Sequence, residues 1–131
     1  MNLDKDTIQN INFFEKITRA KVKCCFNNNI MTFIVDFGEI GKAIGKNGVN
    51  VKKLANLMKL RIKIVEFNPN PLIFMKNLIY PVKAELKLEE NTIEFQADTK
   101  TKGLLIGRNQ QNLKDLKKIF NYYFRDIEIK I

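Results

Sequence analysis

One pattern is written twice along this chain, and any fold proposed for it must build the same module twice. Subtracting 62 from positions in the second half lands Lys83 on Lys21, Asn91 on Asn29, Phe95 on Phe33, Asp98 on Asp36, Gly103 on Gly41, Ile106 on Ile44 and Gly107 on Gly45. The match continues without a gap through Asn109 on Asn47, Asn112 on Asn50, Lys114 on Lys52 and Leu116 on Leu54, until a three-residue insertion before Ile127 shifts the end of the second copy. Self-similarity at a fixed spacing marks a repeated structural unit. At 131 residues the chain is long enough for one large domain or two small ones, and either buries an ordinary core. The repeat selects two.

The elements of the first copy follow from periodicity and punctuation. Ile8, Ile11, Phe14 and Ile17 recur at helical spacing over residues 5–18, with Asp6 or Thr7 available as the cap. Residues 20–26 and 30–35 read as strands joined across Asn27-Asn28-Asn29, residues tolerant of positive φ, and so as a hairpin. A short helix over 39–44, a tight bend, a longer helix over 49–59 and an alternating strand over 61–67 complete the copy. The turn-forming linker Asn68-Pro69-Asn70-Pro71 divides a first domain, residues 1–67, from a second, residues 68–131. After the linker, an apolar helix over 72–80 stops before Pro81, and the order repeats. The second copy has strands over 82–88 and 92–97, helices over 101–106 and 111–124, and a strand over 127–131.

Chemistry concentrates at the bend between the two helices of each copy. In Gly45-Lys46-Asn47-Gly48 the glycines let the backbone turn sharply, and the helix that begins near Val49 adds amides and the positive end of its dipole. A bend of this kind is suited to a phosphate. Between Ile40 and Val65 there is no acidic residue, while Lys42, Lys46, Lys52, Lys53, Lys59, Arg61 and Lys63 are all present. In the second copy Lys100, Lys102, Arg108, Lys114, Lys117 and Lys118 surround the bend, with Asp115 the lone acid on the adjoining helix turn. Lys59, Lys63 and Lys117 are assigned to solvating a surface face. Lys46 and Arg108 occupy the outward middle of their bends, where a side chain has no core to serve and a phosphate is the natural partner. Net charge is +9 with a pI near 9.6, which favours polyanionic partners, nucleic acid before an anionic membrane.

The spacing Ile44-Gly45-x-x-Gly48-x-x-Val51 resembles the signature of the KH domain, whose GXXG loop clamps single-stranded nucleic acid by its backbone. The α-β-β-α-α-β order resembles the type II KH fold, so the expected class is α+β with two tandem type II KH domains. The tandem arrangement, with the apolar run Leu72–Tyr80 and Pro81 opening the second unit, is similar to NusA-type transcription factors, and the chain length resembles the short archaeal NusA-like proteins. The resemblance covers the whole chain. It implies RNA contacts from Gly45, Lys46, Asn47, Gly48, Lys42, Lys52 and Lys53 in the first copy. In the second copy it implies Gly107, Arg108, Asn109, Lys102 and Lys114. It also implies an aliphatic groove floor, in which Ile44, Val51, Ile62, Ile106 and Leu113 would divide their area between core and bases.

One position departs from the pattern. The second bend reads Gly107-Arg108-Asn109-Gln110, without its last glycine. Gln110 either takes a positive φ at a cost on the order of 1 kcal/mol or the bend relaxes to another shape. The first bend is therefore expected to grip the backbone firmly and the second to extend the basic track, and Gln110→Gly to tighten RNA binding.

Several function classes are excluded by composition. The chain has no His, no Ser and no Trp, so Ser-His-Asp and Cys-His catalysis are absent, as is any His-bearing metal site. Gly41–Asn47 departs from a P-loop, with three residues between its glycines where four are needed and Asn in place of the magnesium-binding Ser or Thr. No enzyme activity, cofactor or metal is expected. Cys24 and Cys25 sit side by side on one strand, facing opposite ways, and are read as reduced thiols of a cytoplasmic protein. No signal pattern opens the chain and no apolar run reaches membrane-spanning length.

The leading reading is a monomeric single-stranded RNA-binding protein. As the NusA resemblance implies, it holds nascent RNA and takes part in transcription termination or antitermination, with RNA polymerase as a protein partner. The alternative is an interaction module docking on RNA polymerase or a ribosome-assembly particle, RNA contact being secondary; helix 5–18 would then be its sensitive surface. Binding of an anionic membrane is a third class, and the repeat gives it no support.

Overall fold

The computed structural model describes residues 5–28 and 30–131. The chain divides into two compact units, Met1–Asn68 and Pro69–Ile131. In the first, α1 (Lys5–Thr18) is followed by β1 (Val22–Asn27), β2 (Met31–Val35), α2 (Ile40–Ile44), a single 3-10 turn (Lys46–Gly48), α3 (Val49–Met58) and β3 (Ile62–Glu66). Asp6 and Thr7 lie inside α1 rather than capping it, because the helix already runs from Lys5. The hairpin joins β1 to β2 as expected, with Asn29 of its turn outside the described residues.

Strand β2 is central, antiparallel to β1 and parallel to β3. A parallel return needs a crossover, and α2 and α3 supply it. Phe33 at the middle of β2 stacks on Phe14 of α1, ring centroids 4.2 Å apart and 24° from coplanar. Around this pair Cys25, Met31, Val35, Ala43 and Leu54 are buried, with Ile11, Phe13, Ile17 and Met58 packed against them. One apolar stripe from each helix thus meets one face of the sheet, which is what their periodicity dictates. Every residue of β2 is buried. The register slips between Val22 and Cys24, placing Cys25 opposite Phe33 and Cys24 opposite Ile34. Both cysteines are buried without a disulfide, and burial pushes the Cys24 thiol above its ordinary value.

The second unit repeats the order. It comprises α4 (Pro71–Ile79), β4 (Glu85–Glu89), β5 (Thr92–Gln96), α5 (Thr99–Ile106), a 3-10 turn (Arg108–Gln110), α6 (Gln111–Tyr123) and β6 (Glu128–Lys130). Its sheet has β5 in the centre, antiparallel to β4 and parallel to β6. Helix α4 starts inside the expected linker. Pro71 takes its first position and the Asn70 side chain accepts from the amides of Leu72 and Ile73, the arrangement that suits a proline without an N–H. Strand β4 begins at Glu85 rather than near Val82, because the chain is still turning there, with Val82 N–H donating to Ile79 O. Phe74, Phe120, Tyr123 and Phe124 form an aromatic cluster, with Phe120 and Phe124 stacked at 5.0 Å.

The strand registers correct the expected three-residue insertion. Met31 pairs with Ile62 and Ile93 with Ile129. Met31 and Ile93 are 62 apart and Ile62 and Ile129 are 67 apart, so the second copy carries five extra residues. Three of them lengthen the helix, since α6 has 13 residues against 10 in α3. The others enter the turn to the last strand. Their number is such that Ile129 still faces the side that Ile62 faces, as the period-two alternation of a strand requires.

Candidate nucleic-acid interface

Helix α2 ends because Gly45 adopts φ 75, ψ 169, a region essentially closed to residues with a Cβ. Lys46 follows, Asn47 sits at φ 56, ψ 26, and Gly48 at φ 72, ψ 20 hands the chain to α3. In the second unit Gly107 (φ 73, ψ 175), Asn109 (φ 54, ψ 29) and Gln110 (φ 62, ψ 19) reproduce the bend to within about ten degrees. Gln110 therefore keeps the shape and carries the strain. The two ends of the bend make different demands. A Cβ on Gly45 would lie 2.9 Å from Asn50 Nδ2 and one on Gly107 2.6 Å from Asn112 Cγ, whereas a Cβ on Gly48 would meet nothing within 4 Å. The last position needs only a left-handed residue, which Gln supplies at a cost. Gln110→Gly is expected to stabilise the protein by roughly 1 kcal/mol, read as a raised urea midpoint.

Lys46, Asn47, Arg108 and Asn109 are exposed, and the bracketing Gly45, Gly48 and Gly107 are half-buried. Inside the first bend Gly48 N–H donates to Gly45 O at 3.1 Å and Val49 N–H to Lys46 O. Inside the second, Gln110 N–H donates to Gly107 O at 3.2 Å. An outside acceptor approaching the first bend would therefore address the amides of Lys46 and Asn47. Lys52 and Lys53 are exposed on α3, Lys114 is exposed on α6, and Lys102 is half-buried on α5.

Lys42 is exposed but engaged. Its Nζ lies 3.4 Å from Glu39, whose other oxygen accepts the Lys21 amide at 2.9 Å. That amide first, and Lys42 second, holds the Glu39 carboxyl below its usual range. Glu39 stands one residue outside the acid-free stretch, so the stretch alone overstated the charge available from Lys42. Of the three lysines read as solvent-facing, Lys59 and Lys117 are exposed and Lys63 is only partly so. Lys63 is half-buried on β3 and burial lowers its pKa, while Lys59 ends α3 in a left-handed conformation, φ 54. Beside the first bend Ile44 and Val49 are 36% and 55% exposed, enough for apolar contact with a ligand; Val51, Ile62, Ile106 and Leu113 are half-buried.

Two side chains without an assigned role proved central to the bends. Asn50 Nδ2 donates to Lys42 O at 3.0 Å, and Asn112 Nδ2 donates to Leu104 O at 3.0 Å. The signal for them was present, since Asn112 falls on Asn50 in the repeat, but no local rule assigns such a bond. Among the described residues no cluster of three His, Cys, Asp or Glu could hold a metal ion, and no helix is long and apolar enough to cross a membrane.

No protein-family model matches the chain. Curated relatives do. The chain is 27% identical over 137 aligned positions to the "Probable transcription termination protein NusA" of Methanocaldococcus jannaschii, covering all of this chain and 75% of the relative. It is 26% identical to the protein of that name from Halococcus morrhuae, covering 98% of both, and 23% identical to that of Thermoplasma acidophilum, covering 100% and 95%. The solved structure described as "Crystal structure of APE1850" superposes over the whole chain and 99% of its own, with a TM-score of 0.74 at 24% identity. That likeness shows a shared fold. The matches to archaeal proteins along most of the length make the chain NusA-like.

Proposed function

We propose that this NusA-like chain is a single-stranded RNA-binding protein built from two tandem type II KH domains, which grips RNA by its backbone and takes part in transcription termination or antitermination. The observation that carries the reading is the duplicated bend. Two exposed basic turns share one backbone shape, each opening a helix. Amides, the positive end of a helix dipole and Lys46 or Arg108 then converge on one anion, a combination matched to phosphate. Gly45, Asn47, Gly48, Gly107 and Asn109 shape the grip. Lys52, Lys53, Lys102 and Lys114 extend the basic track, and Lys42 joins it to the extent that Glu39 releases it. Ile44 and Val49 offer apolar contact to bases. The relatives' name supports the transcriptional role and makes an elongating RNA polymerase the expected protein partner.

The test is the salt dependence of binding. Two units each engaging ~3 to 4 phosphates give a slope of log affinity against log salt of roughly −4 to −6 on single-stranded RNA. Duplex RNA of equal length binds more weakly, because its phosphates follow a rigid A-form path. Fluorescence anisotropy across a salt series measures both. A slope near zero, or equal affinity for duplex, overturns the reading.

A further inference from the structure

We propose that Asn50 and Asn112 are the positioning residues of the two bends, each holding its loop in the phosphate-accepting shape before any strand arrives; the inference rests on the RNA-binding reading above. The two bends differ at two of their four positions, Gly-Lys-Asn-Gly against Gly-Arg-Asn-Gln, yet share one backbone shape. What they have in common is the first glycine, the left-handed asparagine at its centre and an asparagine in the first turn of the following helix.

That last asparagine reaches back across the loop. In each copy its Nδ2 donates at 3.0 Å to a carbonyl in the final turn of the preceding helix, Lys42 O or Leu104 O. Carbonyls there are left without intrahelical amides when the chain turns away, so the side chain replaces the partner that a continuing helix would have supplied. It ties the end of one helix to the start of the next and fixes the span between them. It also occupies the volume that a Cβ would need on Gly45 or Gly107, with contacts of 2.9 and 2.6 Å. Glycine and asparagine are thus a matched pair: the glycine makes room for the tether, and the tether keeps the glycine's turn from closing. A loop held in advance gives up little conformational freedom on binding.

The two tethers carry unequal loads. Gly48 takes its left-handed conformation without a Cβ, whereas Gln110 takes it against steric resistance. Asn112 must therefore hold a loop that pulls away from its shape, and Asn50 one that does not.

The full-length chain tests this with Asn50→Ala, Asn112→Ala and the double variant Asn112→Ala with Gln110→Gly. Amide hydrogen exchange is read by NMR without RNA, and binding is read with a single-stranded oligouridylate. Asn50→Ala is expected to speed exchange at the bonded amides of Gly48 and Val49 by about three- to tenfold, the range spanned by one net hydrogen bond. Asn112→Ala speeds exchange at the bonded amides of residues 110 and 111 by more, and adding Gln110→Gly restores most of the protection. Oligouridylate affinity falls by a factor in the same range with its salt slope unchanged, since the same phosphates are engaged. Unchanged loop exchange, acceleration spread evenly over the unit, or no restoration by Gln110→Gly would overturn the proposal. If the unaltered chain fails to bind oligouridylate, the RNA reading falls with the binding half of the proposal, and the exchange data still decide the tether.

Discussion

Lys46→Asp combined with Asn47→Asp is expected to lower single-stranded RNA affinity on the order of a hundredfold at low salt while leaving the fold intact. The substitution takes away one cation, adds two carboxylates and aims them at the site where a phosphate would sit. One charge-assisted contact is lost, worth roughly 1.5–3 kcal/mol, and repulsion is added. The fold tolerates the change for identifiable reasons. Both side chains are exposed, and Asp accepts the left-handed conformation that Asn47 holds at φ 56. Acids at the start of α3 also complement its dipole. Binding measured beside far-ultraviolet circular dichroism checks both halves. Undiminished affinity in a folded variant would remove the first bend from the interface. Association with polymerase or ribosomal particles, measured on the same variant, separates RNA binding from docking: docking that survives while RNA binding is lost assigns the bend to RNA.

The largest effect on stability is expected from Phe33→Ala. Phe33 is fully buried on the central strand and stacked on Phe14. Removing it deletes a ring from the middle of the first unit's core and leaves a cavity that Leu54 and Met31, themselves fully enclosed or nearly so, have little room to fill. Such truncations cost about 3–5 kcal/mol, a large share of the roughly 5–15 kcal/mol that holds a domain together. Urea denaturation should show a lowered midpoint for the first unit, and oligoribonucleotide binding by its bend should be lost where the unit melts. A shift below about 1 kcal/mol would mean that the site collapses around the loss, contrary to the dense packing of protein interiors.

Much of this architecture was legible because it is local and because it is stated twice. Apolar spacing located α1, α3 and α6 to within a residue or two at each end, and the paired glycines marked where α2 and α5 stop. Two copies with one hairpin, one bend and one long helix left few alternative topologies. What sequence missed depends on partners distant along the chain. The size of the insertion is set by which residue of β5 meets Ile129, and a helix of uncertain end cannot report that. Lys63 lies on a strand that alternates, so whether its side chain is solvated is decided by what packs beside it. The pairing of Lys42 with Glu39 crosses the start of a helix, and it competes with the role that charge counting assigns to Lys42. The asparagine tethers span eight residues between two helices whose relative placement no propensity specifies.

The crowding around Gly45 and the open space around Gly48 have a practical corollary for tracing related chains. A pattern that insists on glycine at both corners would pass over residues 107–110, although their backbone follows the same course. A more discerning probe would ask for glycine at the first corner and asparagine five places later, and would leave the far corner open to Gly, Asn or Gln. Degenerate copies in other proteins should surface under that criterion, because drift is free to erode the roomy corner long before it reaches the tight one.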